Sequence, residues 1–90
     1  MTNLTPNGTE VEAAIIVMLR DDLYVEEEFG VDDSLRDDLG LDSLGFVELR
    51  SACEKKFGIA ITESDFDSTN FGTVRNLAML VARNVRALSA

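Results

Sequence analysis

Apolar residues recur at helical spacing in several separate stretches of this chain, and in none of them do they sustain a two-residue alternation. Val11, Ala14, Ile15, Met18 and Leu19 share one helix face, with Ile16 and Val17 at its edges. Thr9 and Glu12 ahead of them have the spacing of a capping box, which predicts a first helix over roughly residues 10–22. Leu44, Val47, Leu49, Ala52, Cys53 and Phe57 make a second stripe. Asp42 is placed to cap its start and Gly58 to end it, which predicts a helix over roughly 43–57. Thr62 can cap a short helix through Glu63, Ser64, Asp65 and Phe66. Asn70 and Gly72 then mark a turn. Thr73 can cap a last helix whose stripe is Val74, Leu77, Ala78, Val81, Val85 and Leu88. The pattern predicts an all-α fold, a small four-helix bundle of three main helices and one short one.

The connection from Asp21 to Leu41 is long for a bundle. It is acidic, yet Phe29, Val31, Leu35, Leu39 and Leu41 are spaced through it, which a purely solvated linker would not need. It is read as a long loop pinned to the core by isolated apolar anchors. At 90 residues the chain has room for one domain, read as 9–90, preceded by a loose tail over 1–8 that carries Pro6 and Gly8. So small a domain leaves little material for a deep catalytic cleft.

Net charge is −9 and unevenly spread. The stretch from Asp21 to Glu48 holds eleven acids and a single base, Arg36, whereas from Thr73 onward there are Arg75, Arg83 and Arg86 and no acid. An acidic surface repels phosphate backbones and anionic lipid, so neither nucleic acid nor a membrane is an expected partner; basic patches on other proteins are. No apolar run approaches the length of a membrane span, and Met1–Thr9 lacks the charge pattern of a secretory signal. The lone Cys53 fits a reducing, cytoplasmic setting, and its position on an apolar face predicts a buried, inert thiol. With no histidine, a Ser-His-Asp or Cys-His arrangement cannot be assembled within the chain. Reading a calcium loop from Asp32, Asp33 or Asp37 breaks the required order of ligands each time. An esterase reading of Asp42-Ser43-Leu44 lacks both a base and an α/β scaffold.

The informative segment is Asp37-Asp38-Leu39-Gly40-Leu41-Asp42-Ser43-Leu44. Ser43 opens a helix directly after a loop, so its hydroxyl is expected to be exposed beside outward-pointing first-turn N–H groups. A phosphate ester on that oxygen would meet the positive end of the helix dipole. On local physics alone, an ordinary first-turn serine is the commoner occupant of such a position.

Asp38-Leu39-Gly40-Leu41-Asp42-Ser43-Leu44 resembles the phosphopantetheine-attachment motif of acyl carrier proteins. Phe46-Val47-Glu48-Leu49-Arg50 resembles the segment that follows the modified serine in polyketide-type carriers, Phe57-Gly58-Ile59 the end of their second helix, and Thr73-Val74-Arg75-Asn76-Leu77-Ala78 the start of their last. The pieces keep the family's spacing across nearly the whole chain from the first helix onward. The resemblance implies a non-enzymatic carrier, a substrate of a phosphopantetheinyl transferase that uses coenzyme A and magnesium. Its cofactor would be a covalent 4'-phosphopantetheine on Ser43, with acyl groups held as thioesters on the arm. Its partners would be acyl-processing enzymes such as a ketosynthase, an acyltransferase or ligase, and a thioesterase, in polyketide, fatty-acid or related specialised-metabolite biosynthesis. A monomer is expected, since no apolar stripe is left over.

Carried over residue by residue, the resemblance implies that Asp42 caps the helix and contacts the transferase, capping alone being its ordinary role, and that Leu44, beside the attachment serine and read as half-buried, holds a position that often touches partners. Phe46 is assigned either to partner contact or to folding over the arm. Glu48 and Glu54 are partner-facing acids, the latter equally well an ordinary solvated residue. Val47, Phe66 and Val74 are candidates to border an acyl cleft, with core packing the commoner role for each. Two departures stand out: Gly45 occupies a position often acidic or polar in the family, and Lys55 and Lys56 interrupt the acidic face. The alternatives are a non-carrier helical interaction module of the same shape, and a peptidyl carrier of a nonribosomal pathway; Leu41-Asp42 ahead of Ser43 argues for the acyl side.

Overall fold

The computed structural model describes the backbone of residues 8–89 and the side chains of 8–88. Within them the chain forms α1 (Gly8–Asp21), α2 (Ser43–Phe57) and α3 (Val74–Ser89), and no strand among the described residues. α1 buries Val11, Ile15, Met18 and Leu19 and packs chiefly on α3, less on α2. α1 begins earlier than the Thr9–Glu12 spacing predicts: Gly8 and Thr9 are already helical, so Thr9 is not its cap. The rest of the expected tail, 1–7, lies outside the described residues. α3 buries Val74, Leu77, Ala78, Leu80, Val81 and Ala82, while Leu88, expected in the stripe, is exposed. Its start is capped by Thr73, whose hydroxyl accepts the Asn76 N–H at 3.0 Å.

The fourth helix does not form. Residues 62–66 make a single capped turn, in which the Thr62 carbonyl accepts the Phe66 N–H at 3.0 Å and the Thr62 hydroxyl accepts the Asp65 N–H. Propagation stops because the Asp67 carboxylate takes the N–H groups of Thr69 and Asn70, at 3.0 and 2.7 Å, and starts a new turn. Gly72 closes that turn. A Cβ there would lie 2.8 Å from the Ser68 carbonyl oxygen, so only glycine fits without a backbone shift. Among the described residues the architecture is therefore three helices and two long irregular connections.

The first connection is held by its anchors. Leu35 and Leu39 are buried, and Phe29, Val31 and Leu41 are half-buried against the core. It is also stitched to the start of α3. The Leu35 N–H donates to the Gly72 carbonyl at 2.9 Å, and the Arg75 N–H, an orphan of the helix's first turn, donates to the Val31 carbonyl at 2.9 Å. The Arg75 guanidinium grips both oxygens of Asp32, at 2.6 and 3.1 Å. That hydrogen bond, reinforced by the charge of Arg75, holds the Asp32 carboxyl below its ordinary 3.8. Cys53 is fully buried between the helices, and burial, with the Glu54 charge second, pushes its thiol up to about 12, so it stays protonated.

Two outcomes are expected. Leu35→Ala removes the deepest anchor of the first connection and lowers unfolding free energy by about 2–5 kcal/mol, measured by urea denaturation. Asp32→Asn gives a melting temperature below that of the parent above about pH 4, and the gap closes as pH falls through the depressed pKa of Asp32 and protonation removes the pair from the parent too.

Candidate functional site

α2 starts where Asp42 makes it start. Asp42 is extended (φ −101°, ψ −174°), and its carboxylate accepts the Gly45 N–H at 2.8 Å while its carbonyl accepts the Phe46 N–H at 2.9 Å. Ahead of it Gly40 takes a left-handed conformation (φ 77°) between buried Leu39 and half-buried Leu41. This turns the chain so that both leucines reach the core. Gly45 is buried. A Cβ there would sit 3.0 Å from the Leu41 Cδ2 and 3.4 Å from the capping oxygen of Asp42, so the glycine makes room for the anchor and the cap together. That is the physical content of this chain's departure from the family pattern. The other end of α2 stops at Gly58 (φ 66°), whose N–H returns to the Glu54 carbonyl.

This phase sets two faces. Gly45, Leu49 and Cys53, four residues apart, are the buried stripe. Ser43, Phe46, Val47, Arg50 and Glu54 recur at helical spacing on a second side, towards residues 59–72. Ser43 is exposed at the first position of α2. The N–H groups of Ser43 and Leu44 have no acceptor among the described residues and lie at the positive end of the helix. An anion esterified to the Ser43 hydroxyl would have those donors beside it, so the residues present fit a phosphorylated group at this position.

Ser43 stands at the edge of a groove of about 480 Å³. Phe46 and Val47 line its α2 side and Phe66, Phe71 and Gly72 the opposite side, with Ser34, Arg36, Asp37, Asp67 and Ser68 giving it a polar margin. The Arg36 guanidinium lies 5.8 Å from the centre of the Phe46 ring. Phe66 meets Phe71 edge to face, centroids 4.9 Å apart at 80°. Among the described residues, no group of acids or thiol is gathered to hold a metal ion, and no helix is long and apolar enough to cross a membrane.

Of the residues singled out in the sequence, the structure brings Ser43, Phe46, Val47 and Phe66 together around this groove. Val74 is not there: it is fully buried in the core. Leu44, expected half-buried, is 67% exposed, and Val47 is 52% exposed; the buried stripe runs through Gly45, a residue that apolar patterning does not register. These two leave apolar surface open beside Ser43, against the expectation that none remained. Phe46, expected outward, is half-buried against the core. Glu48 is exposed, whereas Glu54 folds back and accepts the Ile61 N–H at 2.8 Å, so it ties α2 to the second connection. Sequence reasoning passed over Phe71, Arg36 and the groove-side role of Arg50. Arg50 was detectable from its helical spacing to Ser43 and Phe46; Phe71 and Arg36 lie on irregular connections and gave no periodic signal.

Comparison with known proteins bears on the same segment. Residues 13–81 match the model of the phosphopantetheine attachment site family. The chain is 38% identical over 82 residues to the acyl carrier protein MbtL of Mycobacterium sp. strain MCS, covering 90% of each chain. It is 43% identical over 67 residues to an acyl carrier protein of Streptomyces coelicolor, covering 74% of this chain and 70% of that one. To the MbtL of Mycobacterium tuberculosis H37Rv it is 31% identical over 84 residues, covering 92% and 98%. Likeness of this extent, running from α1 through the capped serine into α3, establishes that the chain belongs to the acyl carrier protein family, whose prosthetic group is a covalently attached 4'-phosphopantetheine.

Proposed function

We propose that the Ser43 hydroxyl is the oxygen that carries the 4'-phosphopantetheine of this acyl carrier, and that the groove beside it receives the acyl group. The single observation supporting this is an exposed serine at the first position of a capped helix, on the rim of a groove of about 480 Å³. Ser43 Oγ forms the new phosphate ester when a phosphopantetheinyl transferase delivers the group from coenzyme A: the pyrophosphate bond of coenzyme A breaks, adenosine 3',5'-bisphosphate leaves, and the serine proton passes to a base. The base that accepts the Ser43 proton is assigned to the transferase. Once attached, the arm supplies a terminal thiol on which an acyl group is held as a thioester. The chain's own work is mechanical: Asp42 fixes the helix start, the open N–H groups of Ser43 and Leu44 face the phosphate, and Phe46, Val47, Phe66 and Phe71 offer apolar cover.

Leu44 and Val47 are the exposed apolar contacts nearest Ser43, with Asp37, Asp38 and Glu48 exposed around them. Such a surface suits partners that present an apolar pocket ringed by basic residues, the transferase and the acyl-processing enzymes among them. The polar margin of Ser34, Arg36, Asp37, Asp67 and Ser68 favours acyl chains bearing oxygen substituents over plain hydrocarbons, in keeping with polyketide or related specialised metabolism.

Incubation with a broad-range transferase, magnesium and coenzyme A is expected to add one phosphopantetheine unit to the intact protein, read by mass spectrometry. Ser43→Ala is expected to add none. Modification that persists in that variant would contradict the assignment.

A further inference from the structure

Arg50 has an environment unusual for a surface-helix arginine. Its side chain is only 21% exposed. It donates to the Ile61 carbonyl and, at 3.1 Å, to the Glu63 carboxylate. Its guanidinium also lies 4.9 Å from the centre of the Phe66 ring. One turn later, Glu54 accepts the N–H of the same Ile61. Residue 61 is thus held at both its amide and its carbonyl by two side chains of α2. The segment that follows has no helix or strand of its own; beyond Ile61 it is held by the turns around Thr62 and Asp67, by the Asn70 side chain on the Asp65 carbonyl, and by ties further along from Asn76 to the Thr69 carbonyl and from Leu35 to the Gly72 carbonyl, so Arg50 is the α2 side chain that bears on Phe66 itself. Phe66 hangs from that segment, and Phe66 with Phe71 forms the groove side opposite α2.

We infer that Arg50 is a positioning residue for the acyl groove: by lying over Phe66 while holding the Ile61 carbonyl, it sets the depth of the groove and so the length of acyl chain it shelters. This rests on the reading that the groove receives the acyl group. The ion pair with Glu63 is not what matters, because that carboxylate is 89% exposed and solvent weakens the pair. What matters is the guanidinium, which lies over the Phe66 ring, 4.9 Å from its centre, while it donates to the Ile61 carbonyl. Lysine keeps the charge and can keep the bond to the carbonyl, but it has no plane to lay against Phe66. Without that backing the ring is free to leave its edge-to-face contact with Phe71 and enter the space between the groove walls.

The test compares the parent protein with Arg50→Lys, Phe66→Leu and Glu63→Ala. In the unmodified proteins, proton NMR is expected to show ring-to-ring contacts between Phe66 and Phe71 in the parent and in Glu63→Ala, and their loss in Arg50→Lys. Each protein is then loaded on Ser43 with acetyl, butyryl, hexanoyl or octanoyl pantetheine, and thioester cleavage by hydroxylamine is timed. In the parent, protection is expected to rise by up to about fourfold per methylene sheltered and then level off. Arg50→Lys is expected to match the parent for acetyl and to lose about fivefold or more of the protection for hexanoyl. Phe66→Leu should lose protection in the same chain-length-dependent way, and Glu63→Ala should follow the parent. An unchanged chain-length profile in Arg50→Lys, an equal loss for every acyl group including acetyl, or intact Phe66–Phe71 contacts in that variant would overturn the inference. A parent with no chain-length dependence would refute the groove as the acyl site and this inference with it. Failure of Ser43 to load would instead refute the attachment reading, and mass spectrometry separates the two.

Discussion

One hydrogen bond, from the Gly45 N–H to the Asp42 carboxylate, decides where α2 begins, and most of the site follows from that decision. A cap of this kind contributes about 1 kcal/mol, a modest amount, but its effect on phase is large. Advancing the helix start by one residue would rotate every later side chain by roughly 100° about the axis. With the start fixed at Ser43, Gly45, Leu49 and Cys53 turn to the core, Ser43, Phe46 and Val47 turn towards the groove, and Arg50 turns towards Ile61 and Phe66. Gly45 is part of the same device, since a larger residue would press on the Leu41 side chain and on the capping oxygen.

The remaining sides of the groove come from irregular backbone, and their order depends on few, specific ties. The first connection is stitched to the α3 start by the Leu35–Gly72 and Val31–Arg75 backbone bonds and by the Arg75–Asp32 pair. The second is fastened to α2 by Arg50 and Glu54. Segments held this way open at lower free energy than the packed helices. A groove bordered by them can admit and release a tethered guest without disturbing the α1–α3 contact, which carries most of the helix packing.

Much of this is legible in the sequence because it rests on local chemistry. Asp42 and Gly58 mark the ends of α2, and Leu35 and Leu39, isolated apolar residues in an acidic run, are the loop anchors that the structure buries. The exposure of Ser43 follows from the same cap. What sequence reading loses is the outcome of competition. Residues 62–66 carry a good cap and still fail to extend as a helix, because Asp67 captures the next N–H groups first. Leu44 and Val47 read as part of the apolar stripe, with Leu44 half-buried, yet a glycine displaces them, since packing against Leu41 depends on the absence of a Cβ. Glu54 reads as an open acid, but a backbone N–H seven residues later claims it. In each case the deciding partner lies on an irregular segment, where no periodicity announces it.

In the function proposed for this carrier, a group tethered at Ser43 comes to lie between the two aromatic walls. The most direct measurement is a nuclear Overhauser experiment on the protein carrying an isotope-labelled hexanoyl chain. The account predicts contacts from the chain's methylene and methyl protons to the rings of Phe46, Phe66 and Phe71. A chain whose protons contact none of these rings, with narrow lines typical of free solution, would contradict it.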